Sequence, residues 1–125
     1  MIDLVSMWLE QMSLDCACWI ITLAAICLDV IAGTTKAIII KTVSSEKARA
    51  GVLHKSGFIL AMLLCTYIDI AQHIIDIGFS VPVLAGCTVM IVTCEIYSVC
   101  EHVKECVPEI KLSFLEKSDN DQKEK

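Results

Sequence analysis

The sequence predicts an all-α integral membrane protein with three transmembrane helices, and three observations carry that prediction. Of its 125 residues 56 % are apolar, with a mean hydropathy of +0.69, above the roughly 45–50 % apolar share of soluble globular domains. The charges leave long stretches almost free: 13 uncharged residues from Cys16 to Leu28, 13 from Ser56 to Ile68, and 18 from Ile77 to Cys94. Each stretch meets one acid towards its C-terminal end, namely Asp29, Asp69 and Glu95.

Helical rise turns that layout into spans. Thirteen residues cover about 20 Å, too little for a hydrocarbon core of roughly 30 Å, whereas the 20 residues from Cys16 to Thr35 reach it. The spans are therefore placed at about 16–35, 57–75 and 79–99, with Asp29 and Asp69 inside or at the edge of the apolar layer. A soluble helical bundle would need polar outer faces, and LLCTYIDIA and VLAGCTVMIVTC offer none. Before the first span, IDLVSMWLEQMSL reads as an interfacial helix, with Trp8 or Trp19 at the membrane surface.

DIGFSVP, with Gly78 and Pro82, reads as a tight turn, so the second and third spans form a hairpin. KTVSSEKARAGVLHK reads as a basic loop. From Lys36 to Lys55 there are five basic residues against Glu46. Short cytoplasmic loops are rich in Lys and Arg, so Lys41, Lys47, Arg49 and Lys55 set the topology, with the N-terminus out and the C-terminus in. After Pro108 a short amphipathic helix is expected, carrying Ile110, Phe114 and Leu115, and then a charged, disordered tail over 118–125. Residues 1–117 form a single membrane domain.

The eight cysteines include no CxxC pair, and the N-terminus lacks the basic region of a cleavable signal. Cys27, Cys65, Cys87 and Cys94 lie in apolar runs and read as small hydrophobes. Cys16 and Cys18 point to different faces of a helix, which disfavours a shared metal. The tail from Cys100 mixes five lysines with seven acids, a pattern of a solvated helix rather than a nucleic-acid surface. There is no nucleophile with a matching base, no phosphate loop and no zinc motif, so an enzyme, a cofactor and a metal centre are not expected.

What remains is the role of the intramembrane acids. Ala25, Asp29, Gly33 and Ala37 follow at i+4 steps, a face of small residues with one polar group that suits close helix contact. Asp69 and His73 continue a polar stripe on the second span, and Glu95, Ser98 and His102 form one on the third. Acids in a membrane cost a few kcal/mol and face a bundle interior or a water path. Asp29, Gly33, Lys36, Asp69, His73, Glu95 and Ser98 are thus candidate assembly or pore-lining residues. Asp29 is expected to be shared between copies, with Lys36 of a neighbour or a Thr34 or Thr35 hydroxyl. The plainer alternative is that the acids snorkel from helix ends.

DVIAGTTKA, the basic SSEKARAGVLHK, an acid at Asp69 and EIYSVCEHVKECVPEI, in that order, resemble the phage lysis and toxin-secretion holins over residues 20–116. In that family the first span ends in a D-x-x-x-G-x-x-K-A-like motif, matched by Asp29, Gly33, Lys36 and Ala37. A basic loop follows, matched by Ser45, Gly51 and Lys55, and then a late E-x-x-S-x-x-E-N segment leading to Pro, matched by Glu95, Ser98, Glu101 and Pro108. His102 replaces the usual Asn, and Cys106 a common Gly. The resemblance implies a non-enzymatic homo-oligomer of the bacterial cytoplasmic membrane that opens lesions for an endolysin or a toxin. The alternative from a different class is a small non-lytic membrane subunit, scaffold or ion/proton transporter.

The orientation is directly testable. A membrane-impermeant thiol reagent applied to intact cells is expected to leave a single cysteine at position 45 (Ser45→Cys) unlabelled, and brisk labelling would reverse the topology.

Overall fold

The computed structural model describes residues 1–124, with the side chains of 112 and 113 left aside. Three helices account for nearly all of it: α1 (Ile2–Ile40), α2 (Ser45–Ile74) and α3 (Val83–Lys123). All three contain an apolar stretch long enough to cross a membrane. α3 packs along α1 and more briefly against α2, while α1 and α2 barely touch. α1 and α3 are parallel, because the two connections each reverse the chain.

The helices outrun the spans expected from the sequence. At 1.5 Å per residue, α1 with 39 residues is about 58 Å long, so the segment expected to lie as a separate interfacial helix is the first part of α1. The expected basic loop is also mostly helix. Only residues 41–44 lie outside it, because SEKARA is rich in good helix formers and Glu46 sits in the favourable first turn. α1 stops at Lys41 in the left-handed conformation (φ 60°), closed by the Thr42 N–H donating to Ala37 O at 3.0 Å. At the other end α3 continues through Pro108 to Lys123, so the short amphipathic helix is continuous with the third span. Ser118, where disorder was expected to start, lies within this helix.

The turn between α2 and α3 is built from polar side chains. Gly78 takes φ 78°, a conformation that suits glycine, and its N–H donates to Asp76 Oδ1 at 3.0 Å. The Val81 N–H donates to Gln72 Oε1 at 2.8 Å. Gln72 Nε2 in turn donates to Val81 O at 3.2 Å. Asp69 then supplies what α3 lacks at its N-terminus: the N–H groups of Val83 and Leu84 donate to its two carboxylate oxygens, each at 3.1 Å. A carboxylate from α2 thus caps α3 and meets the positive end of its dipole.

Packing is inverted relative to a soluble protein. Thr22, Asp29, Asp69, Thr88 and Glu95 are buried, while Ile20, Leu28, Ile31, Leu60, Leu64, Val89 and Met90 are exposed. The small apolar core of Cys18, Met62, Leu84 and Ile91 is flanked by Trp19, Phe58, Cys65 and Cys87. At its centre Met62 Sδ accepts from the hydroxyls of Thr22 (3.9 Å) and Thr88 (3.7 Å). A chain with polar groups inside and apolar groups outside is at rest only in lipid, where an unsatisfied polar group costs several kcal/mol. This is a multi-pass membrane protein.

Replacing the cap separates its two contributions. Asp69→Asn keeps one acceptor and is expected to lower stability by about 1 kcal/mol, Asp69→Leu by about 2 kcal/mol or more, with thermal unfolding in detergent as the measure. Equal melting of both variants and the wild type would show that the cap contributes nothing.

Candidate functional site

The inner half of the bundle is held by charge. Lys55, nearly three turns into α2, reaches between α1 and α3, where its Nζ lies 2.7 Å from Asp29 Oδ2 and is also paired with Glu95 Oε2. Both carboxylates are buried, Glu95 almost completely. The ammonium also lies over the Phe58 ring, 5.8 Å from its centroid, a cation–π contact that adds to its hold. All three helices meet at this one ammonium.

His102 adds a fourth member from α3. Its Nε2 is 3.6 Å from Asp29 Oδ1 and 3.5 Å from Ser98 Oγ. Asp29 Oδ1 and His102 Nδ1 are buried without a hydrogen-bond partner. Two carboxylates and one ammonium sum to −1, and the His102 ring stands against the unfilled Asp29 oxygen. Gly33 borders this ring, and a Cβ there would meet His102 Nε2 at 3.4 Å, in contact with it.

One turn further along, Lys36 pairs with Glu105. The Lys36 ammonium beside it holds the Glu105 carboxyl below the usual carboxylate range. A carboxyl depressed in the folded state stabilises above its unfolded value, and the contribution is lost as the pH falls through the folded one. The pair is therefore formed at neutral pH and released only in acid, and its half-exposed position keeps it weak.

The seven candidate residues separate into distinct roles. Asp29, Glu95 and Ser98 gather with Lys55 and His102, and Gly33 borders them. Asp69 lies at the opposite end as the α3 cap. His73 is there too, its Nδ1–H donating to Asp69 O at 2.7 Å and its ring tilted against the Trp8 ring at 5.6 Å. Beside it is a cleft of about 270 Å³ lined by Gln11, Asp15, Gln72 and Ser80 among others. The partners expected for Asp29 are otherwise engaged: Lys36 with Glu105, and the Thr34 and Thr35 hydroxyls with Val30 O and Ile31 O. The small-residue face of α1 packs on α3 of the same chain. Of the basic residues, Lys41, Lys47 and Arg49 are exposed while Lys55 is the central cation.

Sequence reasoning placed Lys55 in a loop and so missed its role. The available signal was its spacing: 14 residues before Asp69 on one helix, it lies about 21 Å away, where the acids of the other two spans gather. Among the described residues no three His, Cys, Asp or Glu side chains gather to hold a metal ion. What the arrangement can do chemically is store charge in a low-dielectric interior.

Residues 8–118 match the model of the bacteriophage holin family. The chain belongs to that family. The match takes in the whole membrane part of the holin, from Trp8 in α1 through the connection at 75–82 to Ser118 in α3. No curated protein and no solved structure matches it. The holin family is not an enzyme family, and this holin is accordingly read as a membrane protein acting through its bundle.

Lys55→Met leaves two buried carboxylates without a cation, and breaking a buried pair in this way costs roughly 3–5 kcal/mol. The variant is expected to lose its compact fold in detergent. Adding Asp29→Asn and Glu95→Gln removes the unpaired charges and should restore most of the melting temperature, and no recovery would show that Lys55 acts by packing alone.

Proposed function

We propose that this holin accumulates in the cytoplasmic membrane of its bacterial host with the N-terminus out, assembles laterally with its own copies, and opens lesions that pass a cell-wall hydrolase or a toxin. The observation that carries this reading is the polar seam between α1 and α3. A lipid-facing exterior keeps the single chain at rest in the membrane, while Asp29, Lys55, Glu95, Ser98 and His102 lie stored within it. If α1 and α3 part, those groups need new partners and water. Copies that exchange internal ion pairs for pairs with neighbours keep every charge matched and turn the seam into a wet wall. Such an exchange depends on the number of copies present, which gives accumulation a threshold. The exposed Lys41, Lys47 and Arg49 support the proposed orientation.

Induced expression beside a cytoplasmic cell-wall hydrolase should stop growth abruptly and release the hydrolase, whereas a scaffold or a transporter would leave it enclosed. Parting of α1 and α3 has its own test. With Lys36→Cys and Glu105→Cys as the only cysteines, a short bifunctional thiol reagent should join the helices within one chain and abolish release, and full release from the joined protein would refute a lesion that needs them apart.

A further inference from the structure

α3 carries a second seam that the bundle does not use. Its inner seam, from Leu84 through Ile91 and Glu95 to His102 and Cys106, faces α1 and α2. On the far side Ile96, Cys100, Val103, Val107, Ile110 and Phe114 follow at steps of 4, 3, 4, 3 and 4 residues, and all are exposed. That is the a/d spacing of a heptad, with Cys100, Val107 and Phe114 at a and Ile96, Val103 and Ile110 at d.

Lipid can cover the first part of this stripe but not the rest. The third span is placed at about 79–99, yet α3 continues unbroken through Pro108 to Lys123. The 20 residues from Lys104 onward carry it about 30 Å beyond the apolar layer. With the third span placed at 79–99, Val107, Ile110 and Phe114 lie past the apolar layer, on the part of the helix that continues through Pro108. Their spacing matches a partner helix with the same 3.5-residue period, and every copy inserted the same way presents α3 in parallel. The flanks agree. Lys104 and Lys111 occupy the e positions, and neither g position carries a charge, since Val99 is half-buried and Cys106 belongs to the inner seam, so no like charges meet across a parallel seam. Glu101, Glu105, Glu109 and Glu116 all lie off the seam.

We propose that this stripe is the surface along which a second copy of the chain joins, α3 against α3, parallel and in register. The inference rests on the self-assembly in the proposed function and names the face that performs it. α3 then has two jobs on two faces: the inner seam holds the resting bundle, and the outer seam recruits the next copy without disturbing it.

The chain carries its own probe, since parallel in-register pairing brings Cys100 against Cys100 of the second copy. Membranes holding the full chain with Cys100 as the single cysteine are treated with copper phenanthroline, whose copper accepts the two electrons as two thiols lose their protons and form one disulfide. A dimer is expected on a non-reducing gel. Val107→Cys and Phe114→Cys in a cysteine-free chain should repeat it, while Glu101→Cys and Glu109→Cys, off the seam, should give at least about fivefold less. If the serine-substituted chains fail to insert, the natural chain and Cys100→Ser are compared, with loss of the dimer in the variant expected. Equal cross-linking at all positions, or no dimer through Cys100, overturns the proposal. So does shielding of 107, 110 and 114 from a polar thiol reagent without cross-linking, which would place the stripe on lipid. Growth arrest and hydrolase release measured in the same cells keep the two readings apart: release without a Cys100 dimer refutes the seam alone, and a dimer without release refutes lesion formation alone.

Discussion

The arrangement of the bundle depends on one ammonium group. A lysine or a carboxylate alone in hydrocarbon is expensive, and the expense disappears only when charges of opposite sign meet with the remaining polar atoms satisfied. Lys55 meets Asp29 from α1 and Glu95 from α3, so the positions of all three helices are tied to its head group. Because lipid tails are as apolar as the leucines that face them, hydrophobic burial gives little drive for these helices to associate. Ion pairs, close approach at Gly33 and the small core around Met62 supply it instead. Two carboxylates against one ammonium leave this cluster at −1, with the His102 ring beside the unfilled Asp29 oxygen.

At the other end of the bundle the same rule operates with a different donor. A helix that starts inside or near the apolar layer has N–H groups without partners, and α3 starts after Pro82 with no capping side chain of its own. Asp69 reaches across from α2 and takes two of them, while Gln72 ties down the backbone of the turn. The hairpin is thereby closed by hydrogen bonds rather than by apolar contact. The two ends of the molecule thus use acids for different purposes: Asp69 completes a backbone, and Asp29 and Glu95 hold a charge.

These polar contacts lie within one chain, which bears on the proposed passage from a resting copy to a lesion. Both ion pairs of Lys55 are made inside a single copy, so its ammonium needs no neighbour. Changing partners leaves the number of ion pairs unchanged and moves them from within a chain to between chains.

The sequence by itself determined the class of the protein, because hydropathy and the spacing of charge act locally and survive without any knowledge of packing. Three apolar stretches, their acids and the turn at Gly78 were all legible from residue order, as was the likeness of Asp29, Gly33, Lys36, Glu95, Ser98 and Pro108 to the holin motifs. Helix ends were less legible: SSEKARAGVLHK is charged enough for a loop and helix-prone enough for α2, and propensity decided it. Partner choice was not legible at all. Asp29, Lys55 and Glu95 are separated by 26 and 40 residues along the chain, and only the parallel packing of α1 on α3, with α2 antiparallel beside them, brings the three to one point. Tertiary structure therefore decided that Asp29 pairs within its own chain and that Asp69 is a cap, since both follow from which atoms lie within about 3 Å, a quantity no one-dimensional pattern contains.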